Sequence, residues 1–278
     1  MWVGADAELA AASAKAAGLS LVEIPLTDPT QLDRNAAVET LHRHNLEPTC
    51  SLGLPAYAHA PDHPDEAIAF LGEAIDTAAA IGSSWLTGAL YGHLGHLTGS
   101  GPTSTELDTV ASVLQTAADH ADTRGVRLGV EVINRYETYL VNTAEQVLEL
   151  MDRINRPGTV FAHLDTFHMN IEEPDIAHAV RLLGERLGYV HLAESNRGDI
   201  GSGIFPFDEL FDALTEINFQ GPAVIEAFNN ASAELLRATA SWRAVASEPA
   251  SFIDRSVTHL RNILDTCRRS GNSEQRRT

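Results

Sequence analysis

Short apolar or β-branched runs alternate along the chain with longer stretches whose apolar residues recur every three to four positions. The short runs are LSLVEIP (19–25), EPTCSLGL (47–54), SWLTGALY (84–91), VRLGVEVI (126–133), TVFAHLD (159–165), GYVHLAE (188–194) and PAVIEAF (222–228). Helical periodicity covers 5–18, 31–45, 64–82, 103–124, 142–155, 174–187, 206–217 and 231–270. This alternation predicts repeated βα units around a parallel sheet. Pro64-Asp65-Glu66, Asn142 and Pro174-Asp175 supply the chemistry of helix starts. Seven strands against eight helices, one of them ahead of the first strand, match a (β/α)8 TIM barrel with its first strand truncated or missing and Trp2-Val3 as its remnant. On that reading the natural protein begins roughly ten residues upstream, the length of one strand and its lead-in, and Met1 is an internal methionine or a miscalled start. No Pro- or Ser-rich linker interrupts the series, so residues 1–270 read as one catalytic domain and 271–278 as a polar tail.

Composition narrows the chemistry. A chain of 278 residues is long enough for one large α/β domain. Its 19 basic and 38 acidic side chains give a formal charge of −19, which repels nucleic-acid phosphates and anionic membranes, so neither is an expected partner. Cys50 and Cys267 lie far apart in apolar-patterned segments and read as small buried hydrophobes, not as a disulfide, which fits a reducing compartment. The alanine-rich opening carries Asp6 and Glu8 where a signal peptide needs positive charge, and no run reaches membrane-spanning length, so the cytoplasm is the expected location. Lys15 is the only lysine and sits in a helical segment, which argues against Schiff-base chemistry. No GxxxxGK[ST] loop is present for phosphoryl transfer.

In such a barrel, function gathers at the C-terminal ends of the strands. Four successive strand ends carry metal-ligand types: Glu131 in GVEVINRYE, Asp165 in HLDTFH, His191 in VHLAESNR and Glu226 in VIEAF. Any one of them reads equally well as a rim ion pair or a helix cap. Four in succession, without basic partners at the corresponding ends, point to one oxygen-rich divalent site suited to Mn²⁺, Mg²⁺ or Co²⁺. Glu137, His168 and Arg197 follow at short offsets in loops over the mouth, and are types that bind the hydroxyl and carbonyl oxygens of a small polyol, or simply brace a loop. His93 and His96 in YGHLGHLTGSG have metal-compatible spacing on a Gly-rich loop, where a lid role is the stronger reading. RGDIGSG reads either as a phosphate cradle or as a flexible substrate loop. His42 and His44 ride a helix as part of a solvated face.

At EVINRYET, HLDTFHMNIEE and HLAESNRG the sequence resembles the ketose 3-epimerases, the D-tagatose, D-allulose (psicose) and L-ribulose 3-epimerases on a xylose-isomerase-like barrel. The spacings from Glu131 to Asp165 (34), to His191 (a further 26) and to Glu226 (a further 35) resemble the family pattern, and Trp242-Arg243 continues it into the last helix. The resemblance implies one divalent metal, Mn²⁺ before Co²⁺ or Mg²⁺, on Glu131, Asp165, His191 and Glu226, with Glu131 and Glu226 also the acid/base pair. It further implies that Glu137, His168 and Arg197 position the O1 to O3 region of the sugar, that Gly53 and Phe228 lie near it, and that the enzyme is a homodimer or homotetramer. The chemistry agrees. A C3 hydrogen is α to the C2 carbonyl, so epimerisation through a cis-enediolate needs one base on each face, and two glutamates across one metal supply both. No strand end carries the lysine that hydride-shift aldose isomerases on this barrel use, which favours proton transfer.

The rivals are a related sugar isomerase of the same superfamily, of inosose or hydroxypyruvate type, or an epimerase of a phosphorylated sugar. A non-catalytic sugar-binding barrel is the rival from another class. A nuclease on this barrel would need a basic face that this chain lacks.

Overall fold

The structure, a computed structural model, describes residues 4–227, 242–243 and 245–274. Seven strands form one parallel sheet in chain order: β1 (Leu21–Pro25), β2 (Glu47–Gly53), β3 (Trp85–Ala89), β4 (Arg127–Val132), β5 (Val160–Asp165), β6 (Leu187–Leu192) and β7 (Ala223–Ile225). Register runs unbroken from Ile24↔Cys50 through Cys50↔Leu86 and Leu86↔Leu128 to Leu128↔Val160, with an irregularity at Ala162/His163 before β6. Among the described residues no strand joins β7 to β1. Burial follows that topology. Residues of β3 and β6 are buried throughout, whereas most of β1 and all of β7 keep partial exposure.

The helices are α1 (Gly4–Ala16), α2 (Arg34–His44), α3 (Pro64–Ala80), α4 (Ser104–Arg124), α5 (Ala144–Ile154), α6 (Thr166–Glu172), α7 (Ile176–Leu183), α8 (Phe207–Glu216) and α9 (Pro249–Glu274). They start where local chemistry satisfies free backbone amides. Pro64 opens α3, Asp175 accepts the His178 amide at 2.7 Å, and Thr103 and Glu106 form a reciprocal capping box on α4. At α5 the cap is Thr143, one residue after the expected Asn142. The histidines of α2 are not all on a solvated face: His44 Nε2 lies 2.7 Å from Glu8 Oε1, and Arg43 pairs with the same carboxylate, so α1 docks on α2 through charge. The expected helix over 231–270 falls partly outside the described residues; within them α9 begins at Pro249 and continues to Glu274, past the expected domain end. No helix among the described residues is long and apolar enough to cross a membrane.

Sheet and helices meet in one core, in which Leu86, Leu128, Val130, Leu164 and Val190 from the strands join Leu71, Ile75, Leu114, Val147 and Val180 from the helices. Inside the barrel, the rings of Trp85, Phe161 and Tyr189 pack edge to face at 5.5 and 5.6 Å between centroids.

Two glycines test this packing in opposite directions. Gly88 has φ +113°, and an added Cβ would lie 2.1 Å from the Leu52 carbonyl oxygen on the paired strand. Gly88→Ala is therefore expected to lower unfolding stability by about 3 kcal/mol or more in urea titration. Gly72, inside α3 with open space around it, is the contrast: Gly72→Ala is expected to be neutral or to stabilise by about 0.5–1 kcal/mol.

Candidate metal centre and active site

The strands deliver four side chains to one point. His191 on β6 directs Nδ1 toward Glu226 Oε1 at 3.4 Å, Glu131 Oε1 at 3.8 Å and Asp165 Oδ2 at 3.8 Å. Glu131 comes from β4, Asp165 from the last position of β5, and Glu226 follows β7, its amide bonded to the Leu192 carbonyl. Asp165 and His191 are buried, yet Asp165 Oδ2 and His191 Nδ1 have no hydrogen-bond partner among the described residues. Buried polar atoms without partners are rare, and two of them facing the same space with two further carboxylates form a donor set that fits a divalent cation. The groups of side chains whose atoms lie close enough to share an ion include Asp165, His191 and Glu226 as well as Glu131, Asp165 and His168.

Electrostatics point the same way. Burial raises Glu131 above the ordinary carboxylate range. Burial, with the charges of Asp165 and Glu131, pushes Glu226 up to about 8 against the pull of His191 and Arg197. Around His191, burial opposes a charge, but Glu23 and Glu226 outweigh it and hold the ring well above its usual value. Protein groups alone thus favour a positive charge at the position Nδ1 faces.

Glu137, His168 and Arg197 come together beside this cluster. Asn134 donates through Nδ2 to Glu137 Oε1 at 2.9 Å, and its backbone amide donates to His168 Nδ1 at 3.2 Å. Accepting there leaves the His168 proton on Nε2, 3.8 Å from Glu131 Oε1. Burial, aided by the Arg197 cation, pushes His168 down to about 3, so it is a neutral donor. Arg197 bonds Glu226 Oε2 at 3.1 Å and Glu137 Oε1 at 3.4 Å, and its guanidinium stacks over the Phe167 ring at 4.0 Å. Its φ of +56° is a left-handed value that side chains rarely adopt, held by the loop around it. Gly53 ends β2 beside Ala89 and Leu94, in apolar surroundings. Phe228 lies outside the described residues. Trp242 and Arg243 precede α9 and do not enter it, and Trp242 is exposed.

The segment HLDTFHMNIEE uses each of its ionisable groups differently. Asp165 faces the cluster with one oxygen and caps α6 with the other, accepting the Phe167 amide at 2.6 Å. That cap starts a helix that periodicity did not signal, and α6 places His168 over the site. His163 sits fully buried with Nδ1 2.6 Å from Thr87 Oγ1. Glu172 takes the Arg135 amide at 2.7 Å and its guanidinium, while Glu173 accepts the Ala144 amide at 2.7 Å at the start of α5. Glu172 thus ties this segment to the NRYET loop, and Glu173 ties it to α5.

Two loop expectations change. RGDIGSG is not an open phosphate cradle, because Glu194, buried at 1% exposure, fills it: its carboxylate accepts the amides of Ser195 at 2.8 Å, Gly201 at 2.9 Å and Phe205 at 3.2 Å. His93 and His96 brace loops: His93 Nδ1 donates to the Leu54 carbonyl at 3.1 Å, and the His96 ring stacks on His59 at 4.2 Å. His59, Asp62 and His96 lie close enough to share an ion, but His59 Nδ1 accepts the His93 amide at 3.1 Å, which puts its proton on Nε2 and removes the lone pair a metal needs there.

Residue patterns alone missed Glu23, Asn134 and Glu194. Glu23 had a signal: an acid inside the apolar strand LVEIP is costly unless partnered. Its oxygen Oε2 meets His191 Nε2 at 2.9 Å and the Tyr189 hydroxyl at 2.6 Å.

Comparison with known proteins agrees with this fold. A sequence profile of the xylose isomerase-like TIM barrel matches residues 11–256. An L-ribulose 3-epimerase from Methylomonas sp. (strain DH-1) is 40% identical over 233 residues, 82% of this chain and 81% of the relative. A ketose 3-epimerase from Arthrobacter globiformis is 36% identical over 82% of this chain and 80% of its own. The crystal structure of a D-allulose 3-epimerase from Methylomonas sp. in complex with D-allulose superposes with a TM-score of 0.90 at 35% identity, covering 94% of this chain and 92% of that one. The chain therefore belongs to the xylose isomerase-like TIM-barrel family and, within it, to the ketose 3-epimerases, which are carbohydrate isomerases.

Glu194 generates a test of the loop that carries Arg197. Burial opposes its ionisation, but the three amides outweigh it and hold the carboxyl below the usual range. A carboxyl lowered on folding stabilises the protein fully above its unfolded value, and that stability is lost as pH falls through the folded one. Glu194→Gln keeps the shape but not three good acceptor contacts. It is expected to cost about 1–3 kcal/mol in urea unfolding at pH 7, with a smaller difference from the parent in acid, and to raise KM for ketose as the Arg197 loop loosens.

Proposed function

We propose that the protein inverts C3 of a free ketose by proton transfer between Glu131 and Glu226, with one divalent metal held by Glu131, Asp165, His191 and Glu226. The observation that carries this reading is the convergence of two glutamates from separate strands on one unpartnered imidazole nitrogen. One glutamate removes the C3 proton, the C–H electrons pass into the C2 carbonyl to give a cis-enediolate, and the other glutamate returns a proton to the opposite face. A divalent ion, Mn²⁺ before Co²⁺ or Mg²⁺, supplies Lewis-acid stabilisation of the oxyanion that develops. Burial, with the charge of Asp165 beside both, raises the two carboxyls, which suits groups that must hold a proton and release it near neutral pH. Neutral His168 offers a donor, and Glu137 and Arg197 offer an acceptor and a cation to the sugar hydroxyls. Relatives bearing the names L-ribulose 3-epimerase and D-allulose 3-epimerase support pentulose and hexulose substrates. Glu194 in the amide loop disfavours a phosphorylated sugar bound there. A homodimer or homotetramer belongs to the same reading and is checked by light scattering.

Chelator should abolish epimerisation of allulose, tagatose or ribulose, and added Mn²⁺ should restore it; full activity in metal-stripped protein would sink the metal assignment. With Glu226 pushed up to about 8, metal binding at pH 7 must expel protons, so Mn²⁺ affinity is expected to climb between pH 6 and 8 in a titration that also records proton release. In D₂O the product should gain deuterium at C3, and retention of the original hydrogen would refute the two-base scheme. Glu131→Gln and Glu226→Gln should each lower kcat by about 100-fold or more.

A further inference from the structure

His191 has two ring nitrogens, and what the second one meets decides what the first can do. Its Nε2 lies 2.9 Å from Glu23 Oε2, and the same oxygen lies 2.6 Å from the hydroxyl of Tyr189, two residues earlier on β6. The Tyr189 hydroxyl also contacts Thr49 Oγ1 at 2.8 Å. Glu23 reaches β6 across the barrel interior, for among the described residues β1 pairs only with β2, and β6 only with β5 and β7. A carboxylate oxygen can only accept, so the bond to Glu23 places a proton on Nε2. The lone pair of the neutral ring is then on Nδ1, the buried atom without a partner that faces Glu131, Asp165 and Glu226.

We propose that Glu23 is the positioning residue of the metal centre, fixing the tautomer and ring orientation of His191 from the far side of the barrel. The inference rests on the metal reading above. Glu23 lies outside the proposed ligand set and acts through His191. Such outer partners of a metal-bound histidine set its affinity for the ion. A merely structural role is the alternative, because the same carboxylate ties β1 to β6 across the barrel interior. The two roles differ in what they change: a tie changes stability, an orienting carboxylate changes metal affinity.

The test compares metal-stripped parent, Glu23→Gln, Glu23→Ala and Tyr189→Phe proteins, without sugar. Mn²⁺ titration followed by the free-ion EPR signal gives Kd, and urea unfolding of the same samples gives stability. Glu23→Gln keeps an acceptor and loses the charge, and its Mn²⁺ Kd should rise about 10-fold, whereas Glu23→Ala should raise it about 100-fold. Tyr189→Phe, which leaves the His191 contact in place, should shift the urea midpoint with a Kd close to the parent's. The Co²⁺-loaded parent should show one exchangeable, hyperfine-shifted proton from His191 Nε2–H, and Glu23→Ala should lose it; if that variant does not fold, the Glu23→Gln titration decides. Parental Kd values in both Glu23 variants overturn the proposal, as does a Tyr189→Phe Kd as weak as that of Glu23→Ala. A parent protein that binds no Mn²⁺ overturns the metal reading itself, and this inference with it.

Discussion

Three carboxylates converge on one buried imidazole nitrogen, and the described residues place too little positive charge beside them to balance the cluster. Glu131, Asp165 and Glu226 face His191 Nδ1, with Glu23 and Glu137 close behind. Arg197 is a permanent cation at the site, and it bonds Glu226 and Glu137. Charges removed from water at this density must bind protons, find a counter-ion, or destabilise the fold. The raised values of Glu131 and Glu226 are the first response, and the donor set matches the second. One imbalance thus accounts both for the affinity of the site for a divalent cation and for two carboxyls able to exchange protons near neutral pH.

Other acids hold the frame around that cluster, and each is satisfied by the backbone it braces. Glu194 gathers three amides of the Arg197 loop, Glu172 and Glu173 join the segment after β5 to the loop after β4 and to α5, and Asn134 aligns Glu137 and His168 together. A carboxylate buried against amides is stable only in one backbone arrangement, which suits loops that must present polar side chains without moving them. The left-handed backbone of Arg197 shows the cost of that placement.

The sheet is unevenly buried, and the site straddles the difference. Glu131, Asp165 and His191 belong to interior strands whose flanks are covered, whereas Glu226 follows β7, a short strand at the sheet's margin among the described residues and partly exposed along its length. Arg197 grips that fourth carboxylate, and Glu23 crosses from the other edge to reach His191. The polar contacts of the centre therefore also join the two margins of the sheet.

The βα order was legible in the sequence, because strands and helices bury their apolar residues at different periods: six of the seven strands lie within the expected runs, and β6 begins one residue ahead of its run, at Leu187. The candidate metal set was legible for a similar reason: strand ends in a parallel barrel point to one mouth, so ionisable residues at successive ends must meet. Other features depended on contacts between residues distant in the chain. The helix α6 arises from a cap that Asp165 makes while also facing the cluster, a double use that no periodicity encodes. The glycines of RGDIGSG read as an anion cradle, and only folding shows Glu194 already occupying it, since the amides of residues 195, 201 and 205 converge through the loop's own path. Glu23, an acid inside an apolar strand, was passed over; its partners are 166 and 168 residues away, and only a sheet curved far enough to bring β1 near β6 lets them meet. Local pattern determined what each residue was fit to do, and the curvature of the sheet decided which of them do it together, because hydrogen bonds and charge pairs act across a few ångströms of space and take no account of separation along the chain.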